Sequence, residues 1–240
     1  MGTAIVSTEW LEKHLDDPEV RIIEVYADEV GENYRQGHIP GALGWFWKDA
    51  CWHPTDRQFI PPEAMAEMLG NFGIGPDTKL VLYGDPVQYG TYAFWALTMA
   101  GHKNLKCLDG TRTKWIAENR PLSKNIPRFE AVNYPIAGPD VEMRVDRYNV
   151  RENLSKSDRT LLDVRSPEEY SGDRVMTYGS FDHGAERKGR IPGAKHLYYT
   201  ELLNEDDSYK SADEIRRILS TVDPNLGADS DIVCYCRLSH

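Results

Sequence analysis

Residues 189–194 read GRIPGA and residues 37–42 read GHIPGA, an offset of 152 residues (189 minus 37). The apolar stretch at 232–235 matches the apolar stretch at 80–83 with the same offset (232 minus 80). Two distant matches at one offset indicate an internal repeat, because chance similarities do not keep a common spacing. The chain of 240 residues therefore contains two copies of one structural unit.

The first copy alternates between two kinds of segment. Residues 20–26, 80–83 and 105–108 are predicted strands, whereas residues 61–70 and 90–100 carry apolar side chains at helical spacing. Alternation of this kind indicates an α/β fold with a mainly parallel sheet and helices on both faces. We expect this fold in both copies.

A proline-rich stretch without clear periodicity separates the copies, and residues 123–141 are predicted to form an extended linker. This assignment gives a first domain at 1–122 and a second domain at 142–240. The first copy continues through a helix and a strand after Gly84, whereas the second ends at His240. The second domain is therefore expected to be truncated at its C-terminus.

Composition excludes several classes of partner. The formal net charge is -10, from 38 acidic and 28 basic residues without a basic cluster, which predicts no nucleic-acid partner. Neither a signal peptide nor a long apolar span is recognisable, so no membrane partner is predicted. Four cysteines are too few for a disulfide framework in a chain of this size, which favours a cytoplasmic location. Histidines and cysteines lack the spacing of a metal site, so neither a metal nor a cofactor is predicted.

Residues 232–235 are apolar and predict a short, buried, parallel strand, and Cys236 follows this strand directly. Open α/β sheets place their chemistry at the carboxyl ends of strands, so Cys236 is a candidate nucleophile, the alternative being a buried, inert cysteine. The backbone N–H groups of the following loop can surround an anionic sulfur and stabilise it. At the shared offset the first copy has Gly84, so the thiol is confined to the second copy.

Several motifs together resemble the tandem-domain rhodaneses, the family of thiosulfate sulfurtransferases. They are the two α/β copies, the segment LDVRSPEEY at 162–170, GRIPGA at 189–194 and Cys236 followed by Arg237. The resemblance covers nearly the whole chain. It implies two rhodanese-like domains, of which the first is inactive and the second catalytic.

The resemblance also implies the chemistry. A Cys236 thiolate takes the sulfane sulfur of thiosulfate, holds it as a persulfide and passes it to cyanide or another thiophilic acceptor. The partners are thus a small-molecule sulfur donor and an acceptor. The expected substrate-binding loop consists of Arg237, Leu238, Ser239 and His240.

Further residues are assigned by the same resemblance. Arg187 is either a second cation for the donor or a solvated surface arginine. Asp163 and Arg165 are expected to brace the loop through hydrogen bonds, and Glu169 is expected to pair with a basic group of the loop. Leu238 stands where some family members have a lysine.

Three alternatives stay open at the level of sequence. The donor can be 3-mercaptopyruvate, the domain can be a non-catalytic binding module, or the chain can be a phosphatase relative with a longer anion-binding loop. Fold alone does not separate these functions.

Overall fold

The computed structural model describes residues 4–52, 59–136, 141–156, 158–175, 187–227 and 229–237. These residues form two compact units. The first unit contains the described residues up to Met143 together with Glu205–Ser208, and the second contains the remainder. Each unit is built around its own sheet.

The described residues of the first unit form a five-stranded parallel sheet. Its strands are β1 (Ile5–Val6), β2 (Val20–Tyr26), β3 (Ala42–Phe46), β4 (Lys79–Asp85) and β5 (Leu105–Leu108). Their spatial order is β1-β5-β4-β2-β3, which places β5, β4 and β2 in the interior of the sheet. The helices described in this unit are α1 (Thr8–Lys13), α2 (Glu32–Gln36), α3 (Trp47–Cys51), α4 (Pro62–Asn71), α5 (Val87–Met99) and α6 (Arg112–Ala117).

Two of the interior strands, β2 and β4, carry much of the core of the first unit. Apolar side chains of β2 and β4, among them Ile23, Val25, Leu80 and Val81, are almost completely buried. The predicted strands at 20–26 and 105–108 are confirmed with the same bounds. The short strands β1 and β3 were not predicted, because neither shows apolar alternation long enough to be distinguished from a loop.

The segment 123–136 contains no helix or regular strand and packs on the first unit. The Val132 N–H donates to the carbonyl of Gly70 at 3.0 Å. The ring of His102 is buried, and its Nδ1 lies 2.9 Å from the Tyr134 hydroxyl. This part of the predicted linker is therefore held in place by specific contacts.

The described residues of the second unit form a three-stranded parallel sheet. Its strands are β6 (Arg159–Asp163), β7 (Lys195–His196) and β8 (Asp231–Tyr235), in the spatial order β7-β6-β8. The helices described here are α7 (Arg147–Glu152), α8 (Pro167–Ser171) and α9 (Ala212–Val222). A 3-10 turn at Tyr199–Leu202 follows β7.

Two sequence-based expectations for this unit need correction. β8 was predicted to be buried, but none of its residues is, because within the described residues it pairs with β6 alone and forms an edge. In the first unit, by contrast, β4 pairs with β2 and β5. Helix α9 was not predicted, although Ser211 and Glu214 form a capping box that marks its start.

Candidate active site

Cys236 leaves the sheet at the carboxyl end of β8. Tyr235, the residue before it, lies in register with Asp163, the last residue of β6. Cys236 is exposed, whereas Asp163 is completely buried. The ends of two adjacent parallel strands therefore bring a solvent-accessible thiol close to a buried carboxylate, at the edge where α/β folds place their active sites.

Asp163 and Arg165 form a buried ion pair. The Arg165 guanidinium donates from Nε to Oδ1 of Asp163 at 2.9 Å and from Nη2 to Oδ2 at 2.6 Å. The Arg165 backbone N–H donates to the same carboxylate at 3.1 Å. Nη2 also donates to the carbonyl of Gly189 at 2.7 Å, so the pair ties the end of β6 to the GRIPGA turn.

This pairing keeps Asp163 charged. Burial alone would raise the pKa of Asp163, but hydrogen bonds from Arg165 and Tyr235 and the positive charge of Arg165 lower it below its usual value. The hydrogen bond with Asp163 in turn raises the pKa of Arg165. Asp163 and Arg165 therefore form a bidentate ion pair at the end of β6.

Glu169 connects α8 to the residue after the candidate nucleophile. Its Oε2 accepts from the Ser166 N–H at 3.3 Å as part of a capping box, and its N–H donates to Ser166 Oγ at 3.4 Å. Its Oε1 lies 3.7 Å from Nη1 of Arg237. The Glu169 side chain is almost fully buried, so its negative charge faces Arg237 with little screening by water.

The remaining predicted site residues are Arg187 and the end of the loop. Arg187 is exposed. Leu238, Ser239 and His240 lie outside the described residues. The structure thus brings together Cys236, Arg237, Asp163, Arg165 and Glu169.

Tyr235 is a member of this arrangement that the sequence analysis missed. Its hydroxyl accepts from the Ile191 N–H at 3.1 Å and shares a hydrogen bond with Asp163. The first repeat contained the signal, because Tyr83 stands at the same offset of 152 residues (235 minus 83) before Gly84. Tyr83 likewise accepts from the backbone N–H of the isoleucine in its turn, Ile39, at 3.3 Å.

The described ranges contain neither a disulfide nor a candidate metal cluster. All four cysteines lie in these ranges, and none forms a disulfide. The described residues hold no cluster with the composition of a metal site. None of the helices in this part of the chain combines the length and hydrophobicity that crossing a bilayer requires.

Comparison with known proteins identifies this arrangement. The sequence pattern of the family described as "Rhodanese-like domain" matches residues 7–118 and again residues 147–240. The chain belongs to the rhodanese-like family. Its two repeats are two rhodanese-like domains, as the sequence predicted, and the described strands and helices agree with that fold.

Relatives place this rhodanese-like chain among the sulfurtransferases. It is 39% identical to "Sulfur carrier protein TtuD" of Thermus thermophilus, over 98% of this chain and 82% of that protein. It is 35% identical to "Putative thiosulfate sulfurtransferase" of Haloferax volcanii, with the same two coverages. Membership in the sulfurtransferase family implies a small-molecule sulfur donor and an acceptor.

Solved structures share the fold. A 3-mercaptopyruvate sulfotransferase, SseA from Escherichia coli, aligns with a TM-score of 0.82 at 23% identity, over 99% of this chain and 89% of that chain. The anaerobic ergothioneine biosynthesis enzyme from Chlorobium limicola aligns with a TM-score of 0.83 at 22% identity, over 98% of this chain and 62% of that chain. At these identities the likeness establishes the tandem rhodanese fold alone.

The first rhodanese-like domain has no room for a nucleophile at the matching strand end. A Cβ atom at Gly84 would lie 2.4 Å from the backbone nitrogen of Gly90 and 2.5 Å from the carbonyl oxygen of Pro86. Real Cβ atoms do not approach backbone atoms this closely, and backbone cannot move aside as a flexible side chain can. The first domain is therefore closed at the position where the second carries Cys236.

Gly84→Cys is accordingly expected to destabilise the first domain without creating a second sulfur carrier. Overpacking of this kind costs about 1–3 kcal/mol of unfolding free energy. Tryptophan fluorescence during urea unfolding measures this loss, because all six tryptophans lie between Trp10 and Trp115. A variant with unchanged stability that takes up two sulfur atoms per chain would contradict the steric argument.

Proposed function

We propose that this chain moves sulfane sulfur from thiosulfate to cyanide or another thiophilic acceptor through a persulfide on Cys236. The observation that carries the proposal is the exposed Cys236 at the carboxyl end of β8, next to the buried Asp163–Arg165 pair. A cysteine can act as a covalent carrier when the fold holds it at a fixed, accessible position. The rigid pair behind it supplies that fixed position.

The proposed reaction has two displacements. The Cys236 thiolate attacks the outer sulfur of thiosulfate, the sulfur–sulfur bond of the donor breaks, and sulfite leaves with the bonding electron pair. The terminal sulfur of the resulting persulfide is then attacked by cyanide, so that thiocyanate leaves and the thiolate returns. No oxidant or reductant is consumed.

Roles for the surrounding residues follow from this scheme and are part of the proposal. The loop of Arg237, Leu238, Ser239 and His240 would stabilise the persulfide with backbone N–H groups, and Arg237 and Arg187 would attract the donor. Asp163, Arg165 and Glu169 would support the loop. The relative in Thermus thermophilus is named a sulfur carrier protein, and a persulfide is a form in which a protein carries sulfur.

We retain the predicted domain boundaries, 1–122, 123–141 and 142–240, and the cytoplasmic location as parts of the same proposal. The clustering of the described residues supports two domains, since it separates them near Met143. Four cysteines without a disulfide, all in the described ranges, fit a reducing compartment.

A second donor, 3-mercaptopyruvate, is compatible with the charges at the strand ends. Arg165 is paired with Asp163, and Arg237 faces Glu169, so each of these two arginines is opposed by a carboxylate. Thiosulfate carries two negative charges and 3-mercaptopyruvate carries one. A site with balanced charges discriminates less strongly in favour of the more highly charged donor.

Steady-state kinetics separates the donors. Sulfite release from thiosulfate and pyruvate release from 3-mercaptopyruvate are measured with cyanide as the acceptor. We expect kcat/KM for thiosulfate to exceed that for 3-mercaptopyruvate at least about tenfold, a difference of about 1.4 kcal/mol in transition-state stabilisation. The reverse ratio would assign 3-mercaptopyruvate as the donor, and absence of both products would favour a non-catalytic module.

A further inference from the structure

The same hydrogen-bond arrangement occurs at the strand end of both domains. Tyr235 accepts from Ile191 N–H at 3.1 Å, and Tyr83 accepts from Ile39 N–H at 3.3 Å. Each tyrosine lies in register with the acidic residue of the neighbouring strand, Asp163 or Glu24. The Tyr83 hydroxyl donates to Glu24 Oε2 at 2.5 Å, and the Tyr235 hydroxyl shares a hydrogen bond with Asp163.

The two arrangements differ in charge. In the second domain Asp163 is paired with Arg165, so the acceptor beside Tyr235 is a permanent carboxylate. In the first domain Tyr26 stands two residues after Glu24, where the second domain has Arg165 after Asp163. Hydrogen bonds to a charged acceptor are stronger than those between neutral groups, so Asp163 is a strong acceptor for the Tyr235 hydroxyl.

The ring of Tyr235 is fixed at several points. Its hydroxyl binds Asp163 and the turn at Ile191, and the Arg165 guanidinium lies 5.7 Å from the ring centroid. The Tyr235 carbonyl accepts from the Val164 N–H at 3.1 Å, so the backbone is held as well. The next residue in the chain is Cys236.

We propose that Tyr235 is a positioning residue, whose hydroxyl fixes the end of β8 and thereby the direction in which the Cys236 side chain leaves the sheet. Its catalytic consequence rests on the proposed function, because it requires that sulfur is transferred at Cys236. A thiol that is displaced by a fraction of an ångström meets its donor at a poorer angle, and misplacement of about 1 Å can cost about a hundredfold in rate.

The first domain supplies a matched control. Tyr235→Phe and Tyr83→Phe each remove one hydroxyl from the same hydrogen-bond pattern, but Gly84 follows Tyr83 and carries no nucleophile. Both variants are expected to unfold at lower urea concentration than the parent chain. Tyr83→Phe therefore shows how much of any change at Cys236 comes from losing such a hydroxyl in a domain without a nucleophile.

The test uses the full chain and two readouts. In Tyr235→Phe we expect kcat to fall about tenfold with KM within about twofold of the parent, and in Tyr83→Phe we expect both to stay within about twofold. The rate of Cys236 alkylation by iodoacetamide, followed by peptide mass spectrometry, is expected to fall at least about threefold in Tyr235→Phe and to be unchanged in Tyr83→Phe.

Two results would overturn the inference. One is alkylation of Cys236 at the parent rate in Tyr235→Phe, and the other is an equal loss in both variants, which would show a general effect of stability. The alkylation readout needs no sulfur donor. If the parent chain transfers no sulfur, the proposed function fails while the alkylation rates still decide the role of Tyr235.

Discussion

Replacing Asp163 by alanine is expected to destabilise the second rhodanese-like domain by about 3–5 kcal/mol at neutral pH. The variant leaves the Arg165 guanidinium buried, with 5% of its side chain exposed and without its carboxylate partner. Two N–H groups of the guanidinium, the backbone N–H of Arg165 and a full positive charge then lose the acceptor that offset their desolvation. This loss is a large fraction of the stability of an ordinary domain, which is about 5–15 kcal/mol.

Two spectroscopic probes distinguish unfolding of the second domain from unfolding of the first. Tryptophan fluorescence reports on the first domain alone, since every tryptophan lies between Trp10 and Trp115. Far-UV circular dichroism reports on both domains. In Asp163→Ala we expect part of the circular dichroism signal to be lost at a lower urea concentration than in the parent chain. The midpoint of the tryptophan fluorescence transition is expected to stay unchanged.

Controls show whether charge burial is the cause. Asp213 forms an exposed ion pair with Arg216, so Asp213→Ala is expected to cost less than about 1 kcal/mol. Replacing both members of the buried pair, Asp163→Leu with Arg165→Met, is expected to cost less than Asp163→Ala alone. An Asp163→Ala variant that is as stable as the parent chain would contradict the role assigned to this pair.

Replacing Glu24 by glutamine is expected to change how the stability of the first domain depends on pH. Glu24 is completely buried, and burial raises its pKa from 4.5 to about 7, although the hydrogen bond from Tyr83 acts in the opposite direction. The folded domain therefore binds this proton more tightly than the unfolded chain. The stability from this group is fully present below pH 4.5 and is lost as the pH rises through 7.

The size of the effect follows from the two pKa values. A difference from 4.5 to about 7 corresponds to about 3 kcal/mol of unfolding free energy. Glutamine has no proton to lose, so the stability of Glu24→Gln relative to the parent should increase by about this amount between pH 4.5 and pH 8. Urea unfolding followed by tryptophan fluorescence at both pH values measures it.

The exposed Glu67, on α4, provides the control for the change in net charge. Glu67→Gln is expected to shift the stability equally at both pH values, by less than about 0.5 kcal/mol. Equal pH dependence of the parent and Glu24→Gln would show that the carboxyl group of Glu24 does not titrate between pH 4.5 and 8 in the folded domain.

Patterns within short stretches of sequence predicted the structural elements that depend mainly on neighbouring residues. The apolar run at 20–26 and the repeated GxIPGA turn indicated the strand and the duplication before any contact was known. Asp163 and Arg165 are two residues apart, so their pairing could be expected from the sequence. The exposure of β8 could not, because it depends on which strands lie beside it.

Contacts between distant segments account for most of what the sequence did not predict. Tyr235 lies 44 positions after Ile191 along the chain, and the hydrogen bond between them exists because the strand and the turn meet in the fold. Glu24 is an acidic residue within an apolar strand, yet it is buried and accepts a hydrogen bond from Tyr83, 59 positions further along the chain. The burial and the partners of such residues can be assigned only when the neighbouring strands are known.

The central claim, that Cys236 carries the sulfur, is tested most directly by intact mass. The chain is incubated with thiosulfate, desalted and weighed, together with Cys236→Ser and with Cys234→Ser, which removes the other cysteine of this strand region. We expect a gain of one sulfur atom, about 32 Da, in the parent and in Cys234→Ser, its loss on adding cyanide, and no gain in Cys236→Ser. A gain that persists in Cys236→Ser, or one that disappears in Cys234→Ser, would contradict the assignment of Cys236 as the carrier.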